Sequence, residues 1–312
     1  MKTNNLIKIS VMFLALVAIT IAGCKKDDTN EETPDTTSIQ QLSTDQENVE
    51  ASMDEATRDI DAVFATGLKS SNYSHALPCN VTIDSAAVAN DTITIYLVYN
   101  GLNCRGNINR TGRLEVKRRI GVRWGEPGSS VAVKFIDFTM TRVSSGKSIT
   151  LNGNKLFKNV SGGFIFLVGT VQDSAVFETT ATLQATFDDG SVRNWNVARR
   201  TTFTGTQDAL QLAIEGFGTS GSYTNLVMWG TNRESNEFYT SITTPEIHKE
   251  TCDWDPCSGV KIHTIPATTT VVTLTFGYND NNEPIAGDEC PTRFRIDWSR
   301  NGQSGTIYQP LP

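Results

Sequence analysis

The sequence predicts an all-β protein: a large antiparallel meander curled into a sandwich, half-barrel or barrel, with one N-terminal amphipathic helix. Three observations carry this expectation. From Cys79 onward apolar and polar residues alternate with period two, as in strands with one buried and one wetted face. The dipeptides Asn100-Gly101, Asn152-Gly153, Asp189-Gly190 and Asn301-Gly302 carry tight-turn chemistry. No stretch between the alternating runs shows the helical period that a βαβ crossover needs.

Taken in order, the chain opens with Lys2 and Lys8 and an apolar run from Ile9 to Ala22. That run is shorter than the roughly 20 residues a spanning helix takes, so residues 1–23 read as an export leader. Ala22-Gly23-Cys24 resembles the cleavage box of bacterial lipoproteins, cut before Cys24 once its thiol carries lipid. Several acyl chains make such an anchor stable where one is marginal. Residues 24–43 are expected to be the lipidated cysteine and a flexible tether, too polar to bury a core. Lys25-Lys26-Asp27-Asp28 resembles the export signal of surface lipoproteins of Bacteroidota. The expected location is the outer membrane, on the cell surface, with its periplasmic face as the alternative.

Charge is unevenly spread. The formal charge is −7, yet residues 62–312 hold 22 charges of each sign, while residues 25–61 hold 12 acidic and 3 basic residues. A neutral body argues against a nucleic-acid partner, which needs a basic surplus. Residues 44–312 are expected to form one domain, the helix plus a single large β domain.

The helix is predicted over 44–66. Thr44 and Glu47 have capping-box spacing, and Val49, Met53, Ala56, Ile60, Val63 and Phe64 form an apolar stripe. Glu47, Glu50, Asp54, Glu55 and Arg58 occupy the opposite face. The stripe is expected to pack on the protein's own sheet.

About 14 strands follow. Ile93, Ile95, Leu97 and Tyr99 share one face, as do Phe177, Ala181, Leu183, Ala185 and Phe187. Leu210, Leu212 and Ile214, then Val272, Leu274 and Phe276, then Phe294, Ile296 and Trp298, repeat the pattern. Arg193, Arg199, Arg293 and Arg295 read as outward-facing, which argues against a membrane-spanning barrel.

Besides Cys24 the chain holds Cys79, Cys104, Cys252, Cys257 and Cys290, an odd set that suggests two disulfides and one thiol. Cys79 and Cys104 bracket a hairpin and suit each other; Cys290 suits Cys252 or Cys257. His248, Cys252, Cys257 and His263 carry zinc-type ligands at close spacing. The spacing matches no zinc module and exported cysteines oxidise, so no metal or cofactor is expected.

Catalytic patterns are sparse. His75, His248 and His263 are the histidines, and neither a His-Glu-x-x-His motif nor a phosphate loop occurs. Asp188 and Asp189 sit beside Gly190, where a turn explains them. Trp195 and Trp298 fall on apolar strand phases and read as core; Trp254 reads as the most exposed of Trp124, Trp195, Trp229, Trp254 and Trp298. Asp84-Ser85-Ala86, Asp173-Ser174-Ala175 and Asp91-Thr92-Ile93 resemble an O-glycosylation signal.

Residues across 45–308 carry a wider resemblance: Cys79-Asn80-Val81-Thr82-Ile83-Asp84, Gly112-Arg113-Leu114-Glu115-Val116 and Ser148 to Gly153. Phe187-Asp188-Asp189-Gly190 with Trp195, Cys252-Asp253-Trp254 with Ser258-Gly259, Cys290-Pro291 and Trp298-x-x-Asn301-Gly302 continue it. In these the chain resembles a family of all-β lipoproteins of Bacteroidota, a likeness that implies fold and location but no activity or catalytic residue. Cys257 departs from that pattern, which points to Cys79–Cys104 and Cys252–Cys290 as the bridges. The functional expectation is a lipid-anchored binding or structural module, held to the membrane through Cys24 and facing a glycan or protein ligand. The alternative is a glycan-active hydrolase built on a carboxylate pair.

Overall fold

The computed structural model of the protein describes residues 36–66 and 78–311. The expected leader (residues 1–23), the expected lipidation site Cys24, the expected export signal Lys25–Asp28, and His75 lie outside those residues. Helix α1 (Thr37–Thr66) precedes the strands. Strands β1 (Val81–Ala89), β2 (Thr92–Leu102), β3 (Ile108–Arg119), β4 (Ser130–Arg142), β5 (Ser148–Asn159), β6 (Ala175–Phe187) and β7 (Val192–Thr206) form an antiparallel meander, each paired with the next. After β8 (Ala209–Gly216) and the short β9 (Gly218–Ser220) comes a second meander. It comprises β10 (Tyr223–Thr231), β11 (Glu237–Lys249), β12 (Pro256–Ile265), β13 (Thr270–Tyr278), β14 (Arg293–Arg300) and β15 (Gln303–Pro310).

The two meanders join into one 15-stranded sheet because β8 and β10 lie end to end between β7 and β11. The first half of β7 pairs with β10 through Trp195↔Gly230 and Val197↔Met228. Its second half pairs with β8 from Arg199↔Gly216 to Thr206↔Ala209, and β8 also pairs with the end of β11 through Ile214↔Glu246. β1 and β15 each have a single partner. The sheet thus curls barrel-like around α1, whose side chains bond to β3, β5, β7, β11 and β12.

The curl has a backbone cause. Gly112 in β3 has φ +90°, and a Cβ there would sit 2.1 Å from the Asp137 carbonyl oxygen, where a bulge in β4 answers it. Gly153 in β5 has φ +130°, and a Cβ there would sit 2.3 Å from the Thr182 carbonyl oxygen. Only glycine lets neighbouring strands close so tightly and bend. Asn152-Gly153 is therefore no turn: it lies within β5, where Asn152 Oδ1 accepts from Asp137 N at 2.9 Å. Asn100-Gly101 likewise lies within β2, whereas Asp189-Gly190 and Asn301-Gly302 do form turns.

The strand phases hold as read. Every second residue of β6 from Ala175 to Phe187 is buried, as are Leu97 and Tyr99 and the alternating sets of β8, β13 and β14. The main core gathers α1 with the first meander, β8, β10 and β11. A smaller one joins Ile39 of α1 to β13 and β14 around Trp298.

The helix differs from expectation in two ways. It starts at Thr37, seven residues before the anticipated cap, so residues 37–43, which the sequence assigns to the tether, are helical. Thr44 donates to the Gln40 carbonyl as an interior residue at 3.0 Å, and Glu47 pairs with Lys261 instead of capping. The physical reason is that the stripe runs on through Ile39, Leu42 and Gln46, at three- and four-residue steps, into the sheet. The face opposite the stripe is also enclosed: Asp45, Glu47, Glu50, Asp59 and Asp61 are buried. Arg199, read as outward, points inward and meets Asp54, since its strand phase is that of Trp195 and Val197.

Asp61 shows the consequence of such burial. It accepts from Trp124 Nε1 at 2.8 Å and from Ile165 N at 3.4 Å, with burial pushing its pKa up to about 6. A carboxyl raised above its unfolded value is protonated more in the folded state, so its ionisation weakens the fold as pH rises from about 4 to 6. Asp61→Asn keeps an acceptor for Trp124 and is expected to gain about 3 kcal/mol at pH 8 relative to its own effect at pH 4. Urea unfolding at the two pH values measures this difference, and equal effects would refute it.

Candidate functional site

A spine of buried ion pairs fastens α1 to the sheet. Arg233, after β10, grips Asp45 through Nε and Nη2, both at 2.8 Å, and also reaches Asp188 and Asp189. Arg110 of β3 donates to Glu55 at 3.0 Å and Asp59 at 2.7 Å, and Arg199 of β7 grips Asp54. Lys155 of β5 donates to Thr57 and to the Met53 carbonyl, and burial lowers its pKa to about 7.

The deepest group lies between α1, β11 and β12. Lys261 Nζ sits 2.9 Å from Glu47, 2.8 Å from Glu50 and 2.7 Å from Glu246. His248 extends it, with Nε2 at 2.7 Å from Glu246 and Nδ1 at 2.8 Å from the Trp254 carbonyl. Both ring neighbours are acceptors, so only the doubly protonated imidazole satisfies both. Burial opposes that charge, but Glu246 outweighs it and raises the His248 pKa. Burial likewise works against ionised Glu246, yet Lys261 and His248 hold it near 2, while burial lifts Glu47 to about 7.

Carboxylates of Glu47, Glu50 and Glu246 lie within 4.8 Å of one another, a spacing that suits a metal ion. The Lys261 ammonium already fills that position. Glu47 and Glu246 also have pKa values pushed apart, as an acid–base pair requires. Glu246 is 0 % exposed and the equally buried Lys261 stands between it and Glu47, so a substrate that touches Glu47 from the cleft does not reach Glu246. The group is a structural clamp.

Above the clamp opens a cleft of about 660 Å³. One wall is the helix face of Glu50, Asp54, Glu55 and Arg58; the other is the β11–β12 loop with Asp253, Trp254 and Asp255. Asn103, Arg105 and Asn107 of the β2–β3 loop, with Arg142 at the end of β4, close its side. Arg142 donates from Nε to Asn48 Oδ1 at 3.1 Å and makes no ion pair among the described residues. Asp255 also makes none, and burial raises its pKa. The cleft thus presents, beside an indole, one cation and one acid that make no contact ion pair among the described residues.

Both overhanging loops are stapled. Cys79–Cys104 secures the β2–β3 loop and Cys252–Cys290 the β11–β12 loop, with Cα–Cα separations of 5.1 and 5.3 Å. Arg105 links them by donating to the Asp253 carbonyl at 3.0 Å. Asp253 and Trp254 are held in succession at φ 56° and 66°, a region that side chains other than glycine seldom occupy. Such backbone persists only where its surroundings over-determine it. Here those surroundings are the bridge, the His248 bond to the Trp254 carbonyl and the Trp254 N–H bond to the Lys249 carbonyl at 3.0 Å.

The structure scatters the zinc-type set: Cys252 is bridged, His248 serves the clamp, and His263 bonds Thr240 at 2.9 Å, with burial holding its pKa near 3. Cys257 is a buried free thiol whose pKa burial raises. Non-reducing peptide mapping is expected to yield Cys79–Cys104 and Cys252–Cys290 peptides, with Cys257 alkylated only after unfolding. A Cys252–Cys257 peptide would overturn this pattern. Trp195 and Trp298 are core, and Trp254 is half-buried on the cleft wall, with Arg58 5.9 Å above its ring. Asp188 and Asp189 belong to a turn and pair with Arg233.

Sequence reasoning singled out Trp254 and the bridging cysteines, read the helix acids only as the face opposite the apolar stripe, and missed Glu246, Lys261 and Arg142. The available signal was the alternation Gly259-x-Lys261-x-His263-x-Ile265, all buried on one face of β12. No family model, no curated protein and no solved structure matches this chain.

Proposed function

We propose that the protein is a lipid-anchored module of the outer membrane, displayed on the cell surface, that binds a small polar ligand in the cleft beneath Trp254. The observation that supports it is the construction of that cleft. Two loops fixed by disulfides frame an indole, Arg142 and Asp255, so a ligand meets a wall that needs little ordering. A glycan suits this mixture, because its hydroxyls both donate and accept while its ring faces lie against aromatic carbon. Some of the oligosaccharides that bind the mature protein on an array are expected to be lost in Trp254→Ala and in Arg142→Ala, and these hits test the reading. An array on which every hit survives both changes would refute the cleft as a site.

The anchor rests on Ala22-Gly23-Cys24 and the outward location on Lys25, Lys26, Asp27 and Asp28. Radiolabelled palmitate is expected on the wild type and not on Cys24→Ser. Proteinase K on intact cells is expected to remove the wild-type body and to spare Asp27→Ala/Asp28→Ala. A wild type that resists until lysis would place it on the periplasmic face.

A second reading, glycan hydrolysis, has one observation in its favour. Asp255, raised by burial, shares the cleft with Glu50 and Glu55 of the opposite wall. If those acids act on a bound glycan, array hits shorten on incubation and Asp255→Asn abolishes the cleavage while keeping the binding.

A further inference from the structure

On the outer face of the sheet, a groove of about 500 Å³ crosses β4, β5, β6, β7 and β10. Its outward residues are Asn154 and Leu156 of β5, Thr180 and Thr182 of β6, Asn196 of β7 and Trp229 of β10. Their inward neighbours Ala181 and Val197 belong to the core, and the Lys155 side chain turns inward to Thr57. The pairing registers Asn154↔Thr182, Thr182↔Asn196 and Asn196↔Trp229 put amide, hydroxyl, amide and indole in one row. At the usual strand spacing that row runs about 14 Å.

Three features define what fits. No charged side chain lines the groove, although Lys134 of β4, the register partner of Asn154, stands outward at its rim; over Thr182, Asn196 and Trp229 a charged ligand would lose hydration without a counter-charge. Thr182 Oγ1 donates to Asn196 Oδ1 at 3.2 Å, which leaves the Asn196 amide nitrogen, the Asn154 amide and the Trp229 indole N–H with no partner among the described residues. The indole has a built seat: a Cβ on Gly218 would lie 2.6 Å from the ring and 3.1 Å from the Ala198 methyl, so only glycine lets the ring lie down there. A peptide strand would need an open sheet edge, and every strand under the groove is paired on both sides.

We infer that this groove is a second binding site, separate from the cleft, for a short neutral oligosaccharide. Its ring faces lie against Trp229 and Leu156, and its hydroxyls bond Asn154, Thr182 and Asn196. This stands independently of the cleft reading, because the groove lies on the outward face of the strands.

The test is titration of the mature protein with neutral gluco-, manno-, galacto- and xylo-oligosaccharides, with their uronic acid counterparts as controls. At least one neutral series is expected to bind and to quench tryptophan fluorescence. Trp229→Ala is expected to weaken it about tenfold. Leu156→Glu, at a position 48 % exposed and so harmless to folding, is expected to abolish it by setting a charge in the groove. Trp254→Ala is expected to leave it unchanged. The proposal is overturned if no neutral series binds, if binding survives Leu156→Glu, or if Trp254→Ala alone removes it. That last outcome assigns the ligand to the cleft.

Discussion

Lys261→Met is expected to lower the free energy of unfolding by about 3–5 kcal/mol at pH 8, the usual loss when one partner of a buried ionic group is removed. The reason is arithmetic of charge. Lys261 Nζ lies within 2.9 Å of three carboxylates, Glu47, Glu50 and Glu246, that have almost no access to water. Methionine fills the space but leaves those acids with His248 as their one remaining ion-pair partner among the described residues, and that only beside Glu246. Relief can come from proton uptake. Glu47 already titrates near 7 with the ammonium present, so the deficit is expected to shrink between pH 8 and pH 5. Denaturant unfolding of the variant at both pH values measures it. Adding Glu47→Gln and Glu50→Gln to the variant is expected to restore most of the stability at pH 8. A loss under 1 kcal/mol would mean that water reaches the group and that the clamp does not hold the helix.

That clamp also shows how far the sequence could be read. Strand phases were legible wherever the inward set was apolar, as in β6, where alternate residues from Ala175 to Phe187 all face inward. In β12 the rule inverts. Lys261 and His263 face inward while Val260 and Ile262 are half-exposed, so hydrophobicity chooses the wrong face. β3, β5 and β7 do the same at one position each, with Arg110, Lys155 and Arg199. All four inward cations meet α1. The helix acids, which resemble a solvated face when read alone, are the complement of cations spread over more than 150 residues of strand. No local pattern reveals such a match; only the curl of the sheet brings the two halves together.

The helix start failed for a related reason. Positions 39, 42, 46, 49, 53, 56, 60 and 63 form one continuous stripe, but Gln46 interrupts its apolar character. Gln46 is fully enclosed because its amide donates to Thr240 Oγ1 at 2.5 Å, and that hydroxyl also bonds His263. A polar residue bonded through its amide nitrogen inside the sheet looks, in sequence, like the end of a helix. The cleft was half legible. Cysteine count and the placing of Trp254 between two of them marked its loops, whereas Arg142 and Asp255 become notable only once their lack of an ion pair among the described residues is seen.

The second large effect concerns those loops. Cys252→Ser/Cys290→Ser is expected to destabilise the protein by about 3–4 kcal/mol, since the bridge closes a segment with a sequence separation of 38. The bridge between Cys79 and Cys104, with a separation of 25, is expected to contribute about 3 kcal/mol by the same chain-entropy reasoning. Their local effects differ more than their energies. Without Cys252–Cys290 the left-handed pair Asp253 and Trp254 loses its covalent constraint, and hydrogen bonds from His248, Arg105 and the loop's own backbone have to hold the loop. Hydrogen exchange is expected to speed first at the N–H groups of Asp253, Trp254 and Asp255, which bond the carbonyls of Glu250, Lys249 and Cys252. Strands β5 to β7, with no part in either staple, are expected to keep their protection until global unfolding. Ligand affinity at the cleft is expected to fall in the Cys252→Ser/Cys290→Ser variant under conditions where circular dichroism still reports the full sheet. Unchanged exchange at 253–255 in that variant would show that the loop is held by its hydrogen bonds, and that the disulfide acts on the unfolded chain alone.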